Sequence, residues 1–170
     1  MKRIVIAAAL LASLPAATKG LAQSMEPRSQ PPWAYTYRVD EAGGFEFMAT
    51  TPAAEDPNVW LLISCNAEQE FFISLLNSHD FAGAPCNDFH LVLQFDDAPS
   101  IAPPAKIVSQ RQITADPAAT AYLFAPLSRS RRLSIILGED REATRTYSFQ
   151  LQPNDLALHD IDVHCFHNGA

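Results

Sequence analysis

Glycine is scarce in this chain, six residues in 170, and the scarcity excludes several functions together. There is no G-x-G-x-x-G dinucleotide fingerprint, no P-loop and no G-x-S-x-G nucleophile elbow, all of which need glycine for close backbone approach. Glycine-serine linkers and internal repeats are also lacking, which argues against a second domain or a solenoid. Cysteine is limited to Cys65, Cys86 and Cys165. Three thiols are too few for a disulfide-dense toxin, and an odd number cannot all pair within one chain. With 48% hydrophobic and 18% charged residues, the composition excludes collagen, coiled coil and low-complexity disorder. The apolar run from Ile4 to Ala17 is shorter than the ~20 residues a bilayer-spanning helix needs, and Pro15 interrupts it.

That run has another use. Met1-Lys2-Arg3 precedes it and Gly20-Leu21-Ala22 follows, the pattern of an export signal cleaved after Ala22. Residues 1–22 are therefore read as a signal peptide, 23–32 as a flexible proline-containing leader, and 33–170 as one folded domain. Without the signal, basic residues become scarce as well: nine Lys and Arg against nineteen Asp and Glu, a formal charge of −10. Such a surface disfavours nucleic acid and anionic lipid, and no membrane span is expected after cleavage. The one basic cluster, Arg129, Arg131 and Arg132, reads as a solvated turn entering a strand.

Period-two alternation dominates the rest. Tyr35, Tyr37 and Val39 alternate with polar residues before a turn at 40–44 and Phe45-Glu46-Phe47. Residues 58–65 (NVWLLISC) are nearly continuous apolar, as in a strand buried on both faces, and Phe71–Leu76 comes next as its hairpin partner. His90–Phe95 alternates, and Lys106–Ile113 reads as one further strand of unclear phase. Leu133–Leu137 and Thr146–Leu151 form a second hairpin turning through Gly138-Glu139-Asp140. Asp116-Pro117 can cap a short helix that Pro126 should end or kink. Asn154 or Asp155 can cap a C-terminal helix through Phe166, with Leu158, Ile161 and Cys165 on one face. The fold class expected is mainly β, a single-domain sandwich or partly open barrel with a short middle helix and a C-terminal amphipathic helix.

An exported chain meets an oxidising compartment, where thiols pair. Cys65 ends the most apolar strand and Cys165 lies on the apolar face of the last helix. A Cys65–Cys165 bond would staple helix to sheet and is the preferred pairing; Cys65–Cys86 is the alternative. Cys86 sits in a turn-like stretch with no cationic neighbour in sequence to activate it.

Three further groups invite chemistry. The tail from His159 to His167 holds three of the five histidines, and on a helix Asp160, His164 and His167 would share a face able to ligate zinc or copper. A solvated helix face is the competing reading. Asp96-Asp97 follows an apolar strand and reads either as a calcium or acid/base site or as a polar strand end. His79 or His90 with Ser109 offers the only triad-like set, and nothing in the sequence places them together. Trp33, Tyr35, Tyr37, Phe45 and Phe47 read as core in preference to a ligand-stacking surface.

The order VWLLISC, LVLQFDD at 91–97, YLFAPL at 122–127, TYSFQL at 146–151 and LALHDIDVHC at 156–165 resembles a small secreted bacterial domain found in accessory proteins associated with type VI secretion. The resemblance spans Val59 to Cys165. It implies Cys65 and Cys165 as the disulfide, a β-rich periplasmic module without a catalytic site, and Cys86 as a departure. Together these features point to a non-enzymatic periplasmic or secreted binding or accessory module of the cell envelope, with no cofactor and a protein partner. The alternatives are a periplasmic metal-binding protein using the C-terminal His/Asp cluster and an inhibitor of a secreted enzyme such as lysozyme, whose cationic surface an acidic one would suit.

Overall fold

The computed structural model describes residues 32–39, 43–81, 89–139 and 145–167; the signal segment, most of the leader and Cys86 lie outside the described residues. Among the described residues nine strands form two antiparallel sheets. They are β1 (Ala34–Val39), β2 (Phe45–Pro52), β3 (Val59–Cys65), β4 (Phe71–Asn77), β5 (Phe89–Phe95), β6 (Ala105–Ser109), β7 (Gln112–Ala115), β8 (Arg132–Glu139) and β9 (Arg145–Gln150). Sheet one runs in the order β1-β2-β3-β4-β7-β6 and sheet two β5-β8-β9. The fold is thus mainly β and of the sandwich kind, and among the described residues no barrel closes.

Alternation explains which face turns inward. Across sheet one, Ala49 pairs with Ile63, Ile63 with Ile73, and Leu75 with Ile113, and all are buried. Sheet two contributes Leu91, Leu93, Phe95, Leu133, Ile135, Tyr147 and Phe149 to the same core. Trp33, only 1% exposed, belongs to that core.

Several sequence expectations need correction. β3 is only partly buried on its second face: Val59, Leu61, Ile63 and Cys65 enter the core, while on the outer face Ser64 is buried and Trp60 and Leu62 are half-buried, in a row with Met48, Phe72 and Leu76. Lys106–Ile113 is two strands, because Gln110-Arg111 turns the chain and a bulge lies between Ile107 and Ser109. Gly138 and Glu139 belong to β8, Gly138 paired with His90, and Asp140 of the expected turn lies outside the described residues.

The helical segments also differ. Asp116 does cap a turn, its carboxylate accepting the Ala118 N–H at 3.0 Å. The chain then makes two 3-10 turns, Pro117–Ala119 and Ala121–Leu123, interrupted by Thr120, whose hydroxyl donates to the Phe71 carbonyl at 2.8 Å. Next comes α1 (Phe124–Arg129). Pro126 lies in the first turn of α1 instead of ending a helix, a position where no N–H is required.

The C-terminal helix α2 (Leu156–Asp162) is capped by Asp155, which accepts the Ala157 N–H at 2.8 Å, and it passes into a π-turn at Val163–His167. Leu158, Ile161 and Cys165 are buried, as the helical spacing predicts. Cys65 and Cys165 are disulfide-bonded with Cα atoms 5.8 Å apart. The bond sits in a wider seam. Tyr37, Phe47, Cys65 and Phe71 form one row across β1 to β4. Above it His164 lies on Phe47 at 4.0 Å between ring centroids, Cys165 bonds Cys65, and Phe166 meets Phe71 at 5.7 Å. Three consecutive residues therefore dock on three adjacent strands.

Candidate functional site

β5 ends at Phe95 and the chain reverses at Asp96, whose φ of 47° is left-handed, a region most side chains avoid. The reversal aims the Asp96 carboxylate at the start of β8. That carboxylate accepts the Arg131 N–H at 3.0 Å and the Arg132 N–H at 2.9 Å, while the Asp96 N–H donates to the Arg132 carbonyl at 2.9 Å. Asp97 then forms an ion pair with the Arg132 guanidinium at 3.1 Å. The Arg131 carbonyl accepts the Leu151 N–H at 2.8 Å, so the backbone carrying both arginines is held from two sides. A non-glycine residue in a costly conformation, with its side chain fixing two consecutive amides, is a positioning device.

Beside these arginines opens a cleft of about 730 Å³. Arg131, Arg132, Gln150 and Gln152 supply its polar lining, and Pro32, Leu151 and Pro153 its apolar part. Arg132 and Gln150 face each other in register across β8 and β9. Arg132 is neutralised by Asp97; the Arg131 guanidinium has no hydrogen bond or ion pair among the described residues. The cleft thus presents one guanidinium without a side-chain partner among the described residues, two amides and a proline-flanked apolar surface on an acidic protein.

The acidic pair and the basic cluster, separate in the sequence, are therefore one constellation. The sequence did not anticipate this joining: Asp96 is half-buried and bonded to two amides, while Arg129, Arg131 and Arg132 are exposed at the entry to β8, as expected of a solvated turn. The signal lay in the strands, since Phe95 is paired with Leu133 and brings both loops together.

The other candidates are dispersed. Asp160, His164 and His167 do not converge: the His164 ring packs on Phe47, and His167 Nε2 lies 3.6 Å from Asp162 Oδ2. The π-turn causes this, because it stacks residues five apart where an α-helix stacks those four apart. Among the described residues no group of three His, Cys, Asp or Glu is placed to hold a metal ion. Ser109 Oγ accepts the Arg111 N–H at 3.2 Å and closes the β6–β7 turn; His79 follows β4 in sheet one and His90 lies on β5 in sheet two. Of the aromatic set, Trp33 is core and Tyr35 and Phe47 pack against it, while Phe45 is 43% exposed and forms a ledge with Tyr37 under His164.

One edge contact bears on the cleft. Glu55 reaches β9, where its carboxylate accepts the Ser148 N–H at 2.8 Å, and the Ala54 N–H donates to the Ser148 carbonyl. The Ser148 backbone hydrogen bond holds the Glu55 carboxyl below its usual range, outweighing the opposing effect of burial. The loop after β2 thereby covers part of an edge that would otherwise invite strand pairing.

No family model, curated protein or solved structure matches the chain. No helix among the described residues is long and apolar enough to cross a membrane.

Proposed function

We propose that this chain is a non-enzymatic binding module of the bacterial cell envelope, exported by its N-terminal signal and engaging its partner through the arginine cleft. The observation that carries this reading is the Asp96 clamp on Arg131 and Arg132. A cation on a held backbone, amide groups and an apolar border make a recognition surface, since fixing the backbone reduces the ordering cost of binding. The Cys65–Cys165 bond is compatible with an oxidising compartment. The excess of acidic over basic residues also favours a second reading, inhibition of a cationic secreted enzyme such as lysozyme.

The test uses the full chain produced in an exporting bacterial host and recovered from the periplasm. Its intact mass should equal residues 23–170 with one disulfide. Thermal unfolding with a panel of anionic, neutral and cationic small molecules should give stabilisation by anions, lost in the Arg131→Ala/Arg132→Ala double variant. Stabilisation that survives the double variant, or turnover of a panel compound, overturns the reading. Inhibition of lysozyme at stoichiometric protein would establish the second reading instead.

A further inference from the structure

We infer that the cleft captures an extended peptide by its free terminal carboxylate, with Arg131 as the carboxylate partner and the edge of β9 as a short pairing surface. This rests on the binding reading above and names the ligand class for the same site. Three features of the site lead to it.

The first is the direction of the β9 backbone. Ser148 turns its N–H and C=O away from β8, toward Glu55 and Ala54. Leu151, an odd number of residues on, turns its N–H inward to Arg131. In an antiparallel pair these directions alternate residue by residue, so Gln150 turns its N–H and C=O outward as Ser148 does. Glu55 and Ala54 occupy the edge at Ser148, and Gln150 lies past them, lining the cleft. A main chain entering there can continue the ladder for a residue or two, the strand-addition mode of peptide recognition.

The second is charge. Arg132 is already paired with Asp97 and the Asp96 carboxylate is taken up by two backbone amides, so Arg131 is the guanidinium of the cleft with no side-chain partner among the described residues. One carboxylate matches it, and a planar guanidinium suits a carboxylate in bidentate fashion. Polyphosphates and other multivalent anions meet an acidic chain, with nineteen acidic residues in all, and are repelled at longer range.

The third is the border. Pro32 and Pro153 flank the cleft and Leu151 lies in its wall, giving a terminal apolar side chain a surface to lie on. The Gln150 and Gln152 amides can donate and accept toward a peptide unit.

The experiment is a titration of the exported protein, monitored by amide chemical shifts, with four probes. These are acetyl-Ala-Val-Leu as the free acid, the same peptide as its C-terminal amide, sodium hexanoate, and inorganic phosphate. The free acid should shift amides at 131, 132 and 150–152. The peptide amide should bind about tenfold more weakly or worse, as removal of a charge-assisted pair predicts. Hexanoate, which brings charge without a main chain, should also be about tenfold weaker. Arg131→Gln should abolish the preference for the acid, and Arg131→Lys should keep part of it, both with unchanged thermal unfolding in the absence of peptide. An amide bound as tightly as the acid at these residues overturns carboxylate capture while leaving a binding cleft. Phosphate or hexanoate matching the free acid overturns the peptide class in the same way. No shift with any probe, alongside cleft-dependent stabilisation by the anions of the thermal-unfolding panel, overturns this inference alone.

Discussion

Replacing Asp96 separates backbone strain from hydrogen bonding at the point on which the cleft depends. Its carboxylate serves two amide donors, those of Arg131 and Arg132, from a half-buried position. Hydrogen bonds to a charged group contribute about 1.5–3 kcal/mol when well shielded, and partial solvent access reduces the pair to about 1–2 kcal/mol together. Asp96→Gly removes the carboxylate, keeps the left-handed turn accessible and adds roughly a few tenths of a kcal/mol or more of unfolded-state entropy. Asp96→Ala removes the carboxylate and adds a steric cost of about 1 kcal/mol for a Cβ at positive φ. Asp96→Asn keeps one acceptor and tolerance of that φ, so its loss should be smallest, about 1 kcal/mol. Urea unfolding should rank wild type above Asn, with Ala losing roughly 2–3 kcal/mol at constant m. The amide signals of Arg131 and Arg132 should move most in all three variants. An Ala variant within about 0.5 kcal/mol of wild type, with those two amides unmoved, would refute the clamp.

Other perturbations test the frame. Cys165→Ser opens a loop of 100 residues, for which the chain-entropy model gives about 4.7 kcal/mol, so urea unfolding should show most of a small domain's stability lost; a loss below about 1 kcal/mol would show the aromatic docking of the π-turn to be sufficient without it. The folded pKa of Glu55 is lowered, so its contribution is full above the ordinary carboxylate range and fades as pH falls through the depressed value. Wild type should therefore exceed Glu55→Gln in stability near neutral pH and converge with it in acid; a constant gap across that range contradicts the Ser148 hydrogen bond as the cause. Asp155→Ala should cost about 1 kcal/mol by removing the α2 cap, and Asp155→Ser should recover most of it in the same unfolding assay.

Strand positions were legible because period two is local: Leu91, Leu93 and Phe95 announce their shared face without knowledge of any partner. The staple was legible for the same reason, since Leu158, Ile161 and Cys165 fall on one helix face. Where partners decide, sequence ran out. The apolar run Val59–Cys65 cannot say that only one of its faces meets a second sheet. Gln110-Arg111 makes a turn without glycine or proline, so β6 and β7 read as one strand. Pro126 and Gly138 carry breaker signals that tertiary context overrode, one in a first helical turn and one in a paired strand. The π-turn has no residue signature, yet it moves His167 to Asp162 and disperses the metal candidate set. The arginine cleft was half legible: both charge pairs were visible, but their union depends on β5 lying beside β8, 35 residues away in sequence.

The most direct measurement of the central claim is an amide chemical-shift map of the protein titrated with the free-acid peptide. Shifts centred on Arg131, Arg132 and Gln150–Gln152, fading in the Asp96→Gly protein, are the predicted result. Shifts centred instead on the Phe45–His164 ledge or on the outer face around Trp60 and Phe72 would contradict the arginine cleft as the binding site.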